Sequence, residues 1–182
     1  GAVSAGPGRR EQLLTAAREV LAHHGYERTT VSSIATKANV AKGTFYLYFA
    51  SKDEVVAALQ WRFGEGVAQR VTDAIGTRRT WPAKLDAVVT ACFEDYDRRH
   101  AVHDILFHQS GVARPAAGGG TRSHAPVVAV IRRLLADGVE RGAYRIDDVE
   151  LTAVLLYNAI HGAFEAGYHG EGPTPRRRLV RA

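Results

Sequence analysis

Residues 29–54 read Thr-Thr-Val-Ser-Ser-Ile-Ala-Thr-Lys-Ala-Asn-Val-Ala-Lys-Gly-Thr-Phe-Tyr-Leu-Tyr-Phe-Ala-Ser-Lys-Asp-Glu. Thr29 or Thr30 can cap a helix over residues 31–38, because a threonine hydroxyl accepts a hydrogen bond from a free amide of the first turn. Asn39 and Val40 make a turn, and residues 42–49 form a second short helix. Ser51 and Glu54 have the S-x-x-E spacing of a capping box, which opens a longer helix to about Ile75. Val31, Ile34, Ala35 and Ala38 can pack inward against Val40, Phe45 and Phe49. Lys42, Gly43, Thr44, Tyr46, Leu47 and Tyr48 are left near or on the outer face. A helix-turn-helix whose second helix shows polar and aromatic groups outward is shaped to enter the major groove of duplex DNA.

Each residue type has a role in such a contact. Lys42 and Lys52 can neutralise phosphates, whatever the base sequence. Thr30 offers a hydroxyl and a helix N-terminus to a phosphate. Gly43 allows close backbone approach. Thr44 can reach a base edge or a thymine methyl. Tyr46 and Tyr48 can pack on sugar-phosphate or thymine methyls. Taken singly, these residues read as ordinary surface and half-buried positions. Taken in order with the caps and turn, they read as a DNA-binding unit.

The charge distribution agrees. Seven Lys/Arg and three Asp/Glu fall in residues 1–52, thirteen and sixteen in residues 53–175, and four and none in residues 176–182. The net charge of +5 therefore sits at the two ends, and the N-terminal excess coincides with the helix-turn-helix. Arg176, Arg177, Arg178 and Arg181 match no motif and read as a solvated helix face. The lone Cys92, among Val88, Val89 and Phe93, reads as a buried small hydrophobe, in keeping with a reducing cytoplasm. No run of 18 apolar residues occurs, so no membrane association is expected. With no methionine in the chain, Gly1 is not expected to be the native start.

The chain reads as all-α, with about nine helices and no sustained period-2 pattern. Residues 9–24 place Leu13, Ala17, Val20 and Leu21 on one face and end at Gly25. Beyond the long helix to residue 75, Trp81-Pro82 opens a helix to about His100, and a short one follows over residues 102–109. Residues 111–126, rich in Gly and Pro, read as a loop, followed by helices over 126–142 and 147–168. Residues 174–182 read as the first turns of a last helix that stops early, so further residues are expected beyond Ala182. The expected organisation is a flexible arm over 1–8, a DNA-binding domain over 9–53 and a helical effector-binding and dimerisation domain over 54–182.

Residues 9–54 resemble the N-terminal domain of the TetR (tetracycline repressor) family of bacterial transcriptional regulators. The resemblance is carried by residues 29–35, 39–49 and 51–54 as quoted above. It implies a homodimer, an operator with two-fold symmetry and a small-molecule effector bound by the C-terminal domain. Thr30, Lys42, Thr44, Tyr46, Tyr48 and Lys52 match positions that commonly touch DNA in the family. Leu47 departs from the polar or aromatic residue often found at its position.

The helix over 147–168 carries two strips. Leu155, Ala159, Gly162, Ala163 and Ala166 form a small-residue strip that can pack on another helix of the same chain or on a second copy; the resemblance favours a dimer interface shared with the final helix. Val154, Tyr157, His161, Phe164 and Tyr168 form a bulkier strip. Tyr157, His161 and Phe164, with Phe93, Tyr96, His100 and Phe107, either line an effector pocket or form an ordinary core. His100 and His103 have H-x-x-H spacing, but no helical H-E-x-x-H or Cys pair accompanies them, so no metal is expected, and no cofactor. No G-x-S-x-G, P-loop or dinucleotide fingerprint occurs, so catalysis is not expected. The leading reading is a regulator, most simply a repressor released by its effector. The alternative is an architectural or regulatory DNA binder without a ligand.

Overall fold

The structure, a computed structural model, describes residues 7–108 and 124–168. These residues form seven helices and no strand: α1 (Pro7–Arg28), α2 (Val31–Lys37), α3 (Lys42–Tyr46), α4 (Lys52–Gly76), α5 (Trp81–Phe107), α6 (Ala125–Glu140) and α7 (Val149–Tyr168). The all-α class is as expected, and the count of nine is not. The helices expected over 82–100 and 102–109 are the two arms of α5, separated by a kink at Arg99, where φ is −126° and ψ is 15°. The expected final helix and the basic residues 176–181 lie outside the described residues, as do the arm over 1–6 and most of the Gly-rich loop.

The first helix follows its sequence pattern. Leu13, Leu14, Ala17 and Leu21 of α1 are fully or almost fully buried. Gly25 interrupts the helix with a positive φ of 70°, a conformation open to glycine and strained for a residue with a Cβ. The chain resumes one turn through Arg28, whose Nε donates to the His24 carbonyl at 3.0 Å.

The chain groups into two compact units. One comprises Gly1–Phe63 and Ala101–Gly119, the other Gly64–His100 and Gly120–Ala182. The expected boundary at 53/54 differs from this grouping, for a reason of packing. Val55, Val56 and Leu59, in the first turns of α4, are buried with Leu13, Leu21, Ile34, Phe45 and Phe49, and Leu106 of α5 joins them. Burial of each such side chain contributes about 1.5–3 kcal/mol, so the opening of α4 belongs energetically to the first unit.

The core of the second unit is built from four helices. Ala68 and Val71 of α4, Val88, Cys92, Phe93 and Tyr96 of α5, Val127, Ile131, Leu134 and Leu135 of α6, and Ala153, Tyr157, Ile160 and Phe164 of α7 are buried together. Gly138 of α6 lies under the ring of Tyr144, whose hydroxyl donates to the Trp81 carbonyl at 3.0 Å.

Candidate nucleic-acid interface

The interface begins with the cap of α2. Of the two threonines, Thr30 is the cap: Ser33 N–H donates to Thr30 Oγ1 and Thr30 N–H donates to Ser33 Oγ, both at 3.0 Å. Thr29 is buried instead, and its hydroxyl donates to the Gly25 carbonyl at 2.7 Å. The Thr30 hydroxyl accepts from Ser33 yet keeps its own proton for donation on an exposed surface.

The turn that follows needs a left-handed residue, and Asn39 supplies it with φ of 51°. Asparagine tolerates this region better than other residues with a Cβ. Ala38 N–H donates to the Ile34 carbonyl at 2.9 Å and Val40 N–H to the Ala35 carbonyl at 3.0 Å, closing the end of α2. Gln12 Nε2 of α1 donates to the Ala38 carbonyl at 2.9 Å and fixes this corner against the first helix.

The reading helix α3 is shorter than expected, ending at Tyr46 with Leu47 as its cap rather than at Phe49. Tyr48 and Phe49 amides still reach the Phe45 carbonyl at 3.0 and 3.1 Å, so the chain tightens into a turn here before the next cap at Ser51. Phe45 is 0% and Phe49 2% exposed, with ring centroids 5.9 Å apart. They anchor α3 to the core. Outside them, Lys42 and Gly43 are exposed, Tyr46 is 51% and Leu47 72% exposed, and Thr44 and Tyr48 are half-buried. No atom lies within 4 Å of a Cβ placed on Gly43, so the backbone there is open to an approaching surface.

Lys52, expected to neutralise a phosphate, also makes contacts within the fold. It is half-buried; its ammonium donates to the Tyr26 carbonyl at 2.9 Å and lies 3.7 Å from the centre of the Tyr26 ring. The Tyr26 hydroxyl donates in turn to Asp53, and this bond, with some burial, pushes the Tyr26 hydroxyl up to about 12. The Ser51 half of the expected capping box is present at the head of α4: Glu54 N–H donates to Ser51 Oγ at 3.1 Å, while the Glu54 carboxylate reaches one residue further back and accepts from Ala50 N–H at 2.5 Å. Tyr26 was not among the sequence-derived site residues. Its position one residue after the Gly25 break was the one local signal for it.

In the second unit, four of the expected effector residues come together. Phe93 and Phe164 meet edge to face at 4.2 Å, Tyr96 stacks on Phe164 at 4.6 Å, and Tyr157 is buried in the same core. Burial pushes the Tyr157 hydroxyl up, out of reach of ordinary pH. His161 is half-buried beside this group, its ring 5.7 Å from that of Tyr157 and its Nε2 3.8 Å from the Glu165 carboxylate. Tyr96 donates to the same carboxylate at 3.2 Å. Two expected residues do not join them. His100 is exposed, because the Arg99 kink breaks the helical register that would align it with Tyr96. Phe107 belongs to the first unit, where it packs with Phe63 and His103. Of the small-residue strip, Leu155, Ala159 and Gly162 are exposed, joined by Leu151 at 54%, whereas Ala163 and Ala166 are half-buried.

Residues 13–59 match the family model described as bacterial regulatory proteins, tetR family. The activator FasR of Mycolicibacterium smegmatis is 30% identical over 154 residues, covering 83% of this chain and 70% of that protein. The chain belongs to the TetR family. As a member, it is a DNA-binding transcriptional regulator whose helix-turn-helix is α2 and α3. The repressor KstR2 of Rhodococcus jostii is 29% identical, covering 82% of this chain and 74% of its own. A fatty acid metabolism regulator of Bacillus subtilis is 37% identical over a shorter stretch, 45% of this chain and 42% of that protein. Among solved TetR folds, FadR from Bacillus subtilis in complex with stearoyl-CoA superposes with a TM-score of 0.67 at 22% identity, over 94% of this chain and 93% of that one. Among the described residues, no helix is long and apolar enough to cross a membrane.

Proposed function

We propose that this regulator is a cytoplasmic repressor that binds a two-fold symmetric operator as a homodimer and is released by a long-chain acyl effector. The observation that carries the DNA reading is the split on α3: Phe45 and Phe49 are shut away while Tyr46 and Leu47 stand open beside Lys42. Exposed apolar groups rimmed by a cation mark a contact surface. Lys42, Thr30 and Lys52 serve the phosphates, and Gly43, Thr44, Tyr46, Leu47 and Tyr48 face the groove.

The dimer reading is supported by the open strip of Leu151, Leu155, Ala159 and Gly162 on α7, which lets a second helix approach closely. The effector class is drawn from similarity to the fatty acid metabolism regulator and to the fold solved with stearoyl-CoA. The stacked Phe93, Tyr96 and Phe164 with Tyr157 supply an apolar lining of the kind an acyl chain needs. An effector acts only through unequal affinity for two states, so an acyl ligand that releases the operator must bind the DNA-free state more tightly than the DNA-bound one.

Selection from random DNA should yield a palindromic site, and stearoyl-CoA should release the protein from it. Failure to select any discrete site overturns the regulator reading; a site that stearoyl-CoA leaves occupied overturns the effector class. The similarity to the activator FasR favours one other arrangement, in which the acyl ligand tightens operator binding, and the same titration separates the two by its sign.

A further inference from the structure

We propose that Arg9 and Arg10, at the start of α1, are two further contacts to DNA phosphates, each held against the helix-turn-helix by its own side-chain link. Arg9 Nη1 donates to Gln12 Oε1 at 2.9 Å, and Gln12 Nε2 donates to the Ala38 carbonyl at 2.9 Å. Ala38 closes α2, immediately before the left-handed Asn39. Arg9 is therefore tied, through one glutamine, to the chain that enters α3. A glutamine suits position 12 because its amide carries both an acceptor for the arginine and a donor for the carbonyl. Arg10 is tied to the chain that leaves α3. Its Cζ lies 5.1 Å from the centre of the Phe49 ring, and Phe49, 2% exposed, packs on Phe45 of α3.

The charges of this unit divide into two sets. Arg62 pairs with Glu11 at 2.6 Å and Lys37 with Glu19 at 2.8 Å, so these cations are answered within the fold. Among the described residues, no carboxylate pairs with Arg9 or Arg10, and both are exposed. A guanidinium suits each hold. It can lie over a ring while its N–H edge stays open, and it can give one N–H to an amide oxygen and keep others for phosphate oxygens. A side chain already held in place loses less freedom when it meets the duplex, so the two links favour binding. Phosphate contacts fix register and orientation without reading sequence. Arg9 and Arg10 would thus set how α3 enters the groove, with Gln12 as a positioning residue that touches no DNA. The proposal rests on the DNA reading above and is independent of the effector.

The test measures the affinity of the whole chain for the selected operator and for a random duplex across a salt series. Arg9→Ala and Arg10→Ala should each weaken both complexes alike and reduce the salt slope by about 1, and the double substitution by about 2. Arg9→Lys and Arg10→Lys, which keep the charge, should keep the slope. Arg78→Ala, which removes an exposed cation of the second unit, should leave it unchanged. Gln12→Ala should weaken binding severalfold when Arg9 is present and add nothing to Arg9→Ala; equal losses in both backgrounds would make Gln12 a strut of the turn and not a positioner of Arg9. An unmoved slope at either arginine removes that residue from the interface, and unmoved slopes at both overturn the proposal. A slope lost as fully with lysine as with alanine, or lost equally with Arg78→Ala, overturns it as well. The random duplex decides these outcomes even where no discrete operator is selected, so failure of the operator reading and failure of this proposal are told apart.

Discussion

Lys52 donates a 2.9 Å hydrogen bond to the Tyr26 carbonyl while its ammonium sits 3.7 Å from the centre of the same residue's ring. With the Tyr26 hydroxyl bonded to Asp53, three side-chain contacts tie the end of α1 to the first turn of α4. Tyr26→Phe should remove one of them and lower stability by about 0.5–1.5 kcal/mol, read as a smaller denaturation midpoint at unchanged m. Tyr26→Ala should cost more, since the cation–π contact, about 0.5–1 kcal/mol, goes as well. The hydroxyl is raised from 10.0 to about 12, so its contribution is complete below pH 10 and lost as pH climbs through 12. Tyr26→Phe should therefore flatten the decline in stability over that window; an unchanged decline would mean that other groups cause it.

Lys52 and Thr44 should separate in their effects on DNA. Lys52→Ala should weaken binding on specific and random duplexes alike and reduce the salt slope by about 1, together with a loss of thermal stability from the broken Tyr26 contact. A stability loss with an intact salt slope would make Lys52 a structural strut only. Thr44→Ala, in the half-buried floor of the reading face, should change the preferred operator bases while leaving the salt slope alone. Equal losses on specific and random DNA would remove Thr44 from base reading.

What the sequence made legible is what local rules govern. The Thr30 cap, the Asn39 turn and the Ser51 cap each depend on residues at most four apart, and the structure realises all three, with Glu54 bonded to Ala50 N–H where the box would have it on Ser51. Contacts between distant residues were not readable. Tyr26 and Lys52 are 26 positions apart, and nothing in either segment announces the other. Arg70 and Asp95 likewise meet across two helices, and only the Asp95–Arg99 spacing of four could have drawn notice. His100 shows how one backbone torsion defeats periodicity. Counting four from Tyr96 puts it on the buried face of an ideal helix, and the Arg99 kink turns it outward. Phe107 lies apart for a different reason: an apolar pattern marks a residue that packs in a core without saying which core it joins.

Gly138 and Tyr144 offer a sharper test of packing in the second unit. A Cβ on Gly138 would overlap the Tyr144 ring, which is also held by its bond to the Trp81 carbonyl and by edge-to-face contact with Trp81 at 5.6 Å. Gly138→Ala should destabilise the protein by about 1–3 kcal/mol despite alanine's better helix propensity. Tyr144→Ala should itself be destabilising, and the pair together should cost less than the sum, because the small residue at 144 relieves the overlap. Additive costs in a double-mutant cycle would show that the ring moves aside freely.

Cys92 gives a probe of whether the second core opens when effector binds. Burial, aided by the nearby Asp95 charge, pushes its thiol up to about 12, and only 4% of the residue is exposed. At pH 8 the thiolate population should be about a thousandfold below that of a free cysteine, so a disulfide reagent should react on the timescale of unfolding. The raised value stabilises the fold below pH 9 and is lost between pH 9 and 12, so labelling should accelerate across that range. Cys92 shares its core with Phe93, Tyr96, Tyr157 and Phe164. An acyl ligand that parts those rings should change the labelling rate at constant pH, whereas a ligand bound elsewhere should leave the rate where unfolding sets it. Rapid labelling of the unliganded protein at pH 8 would show that this core is already open.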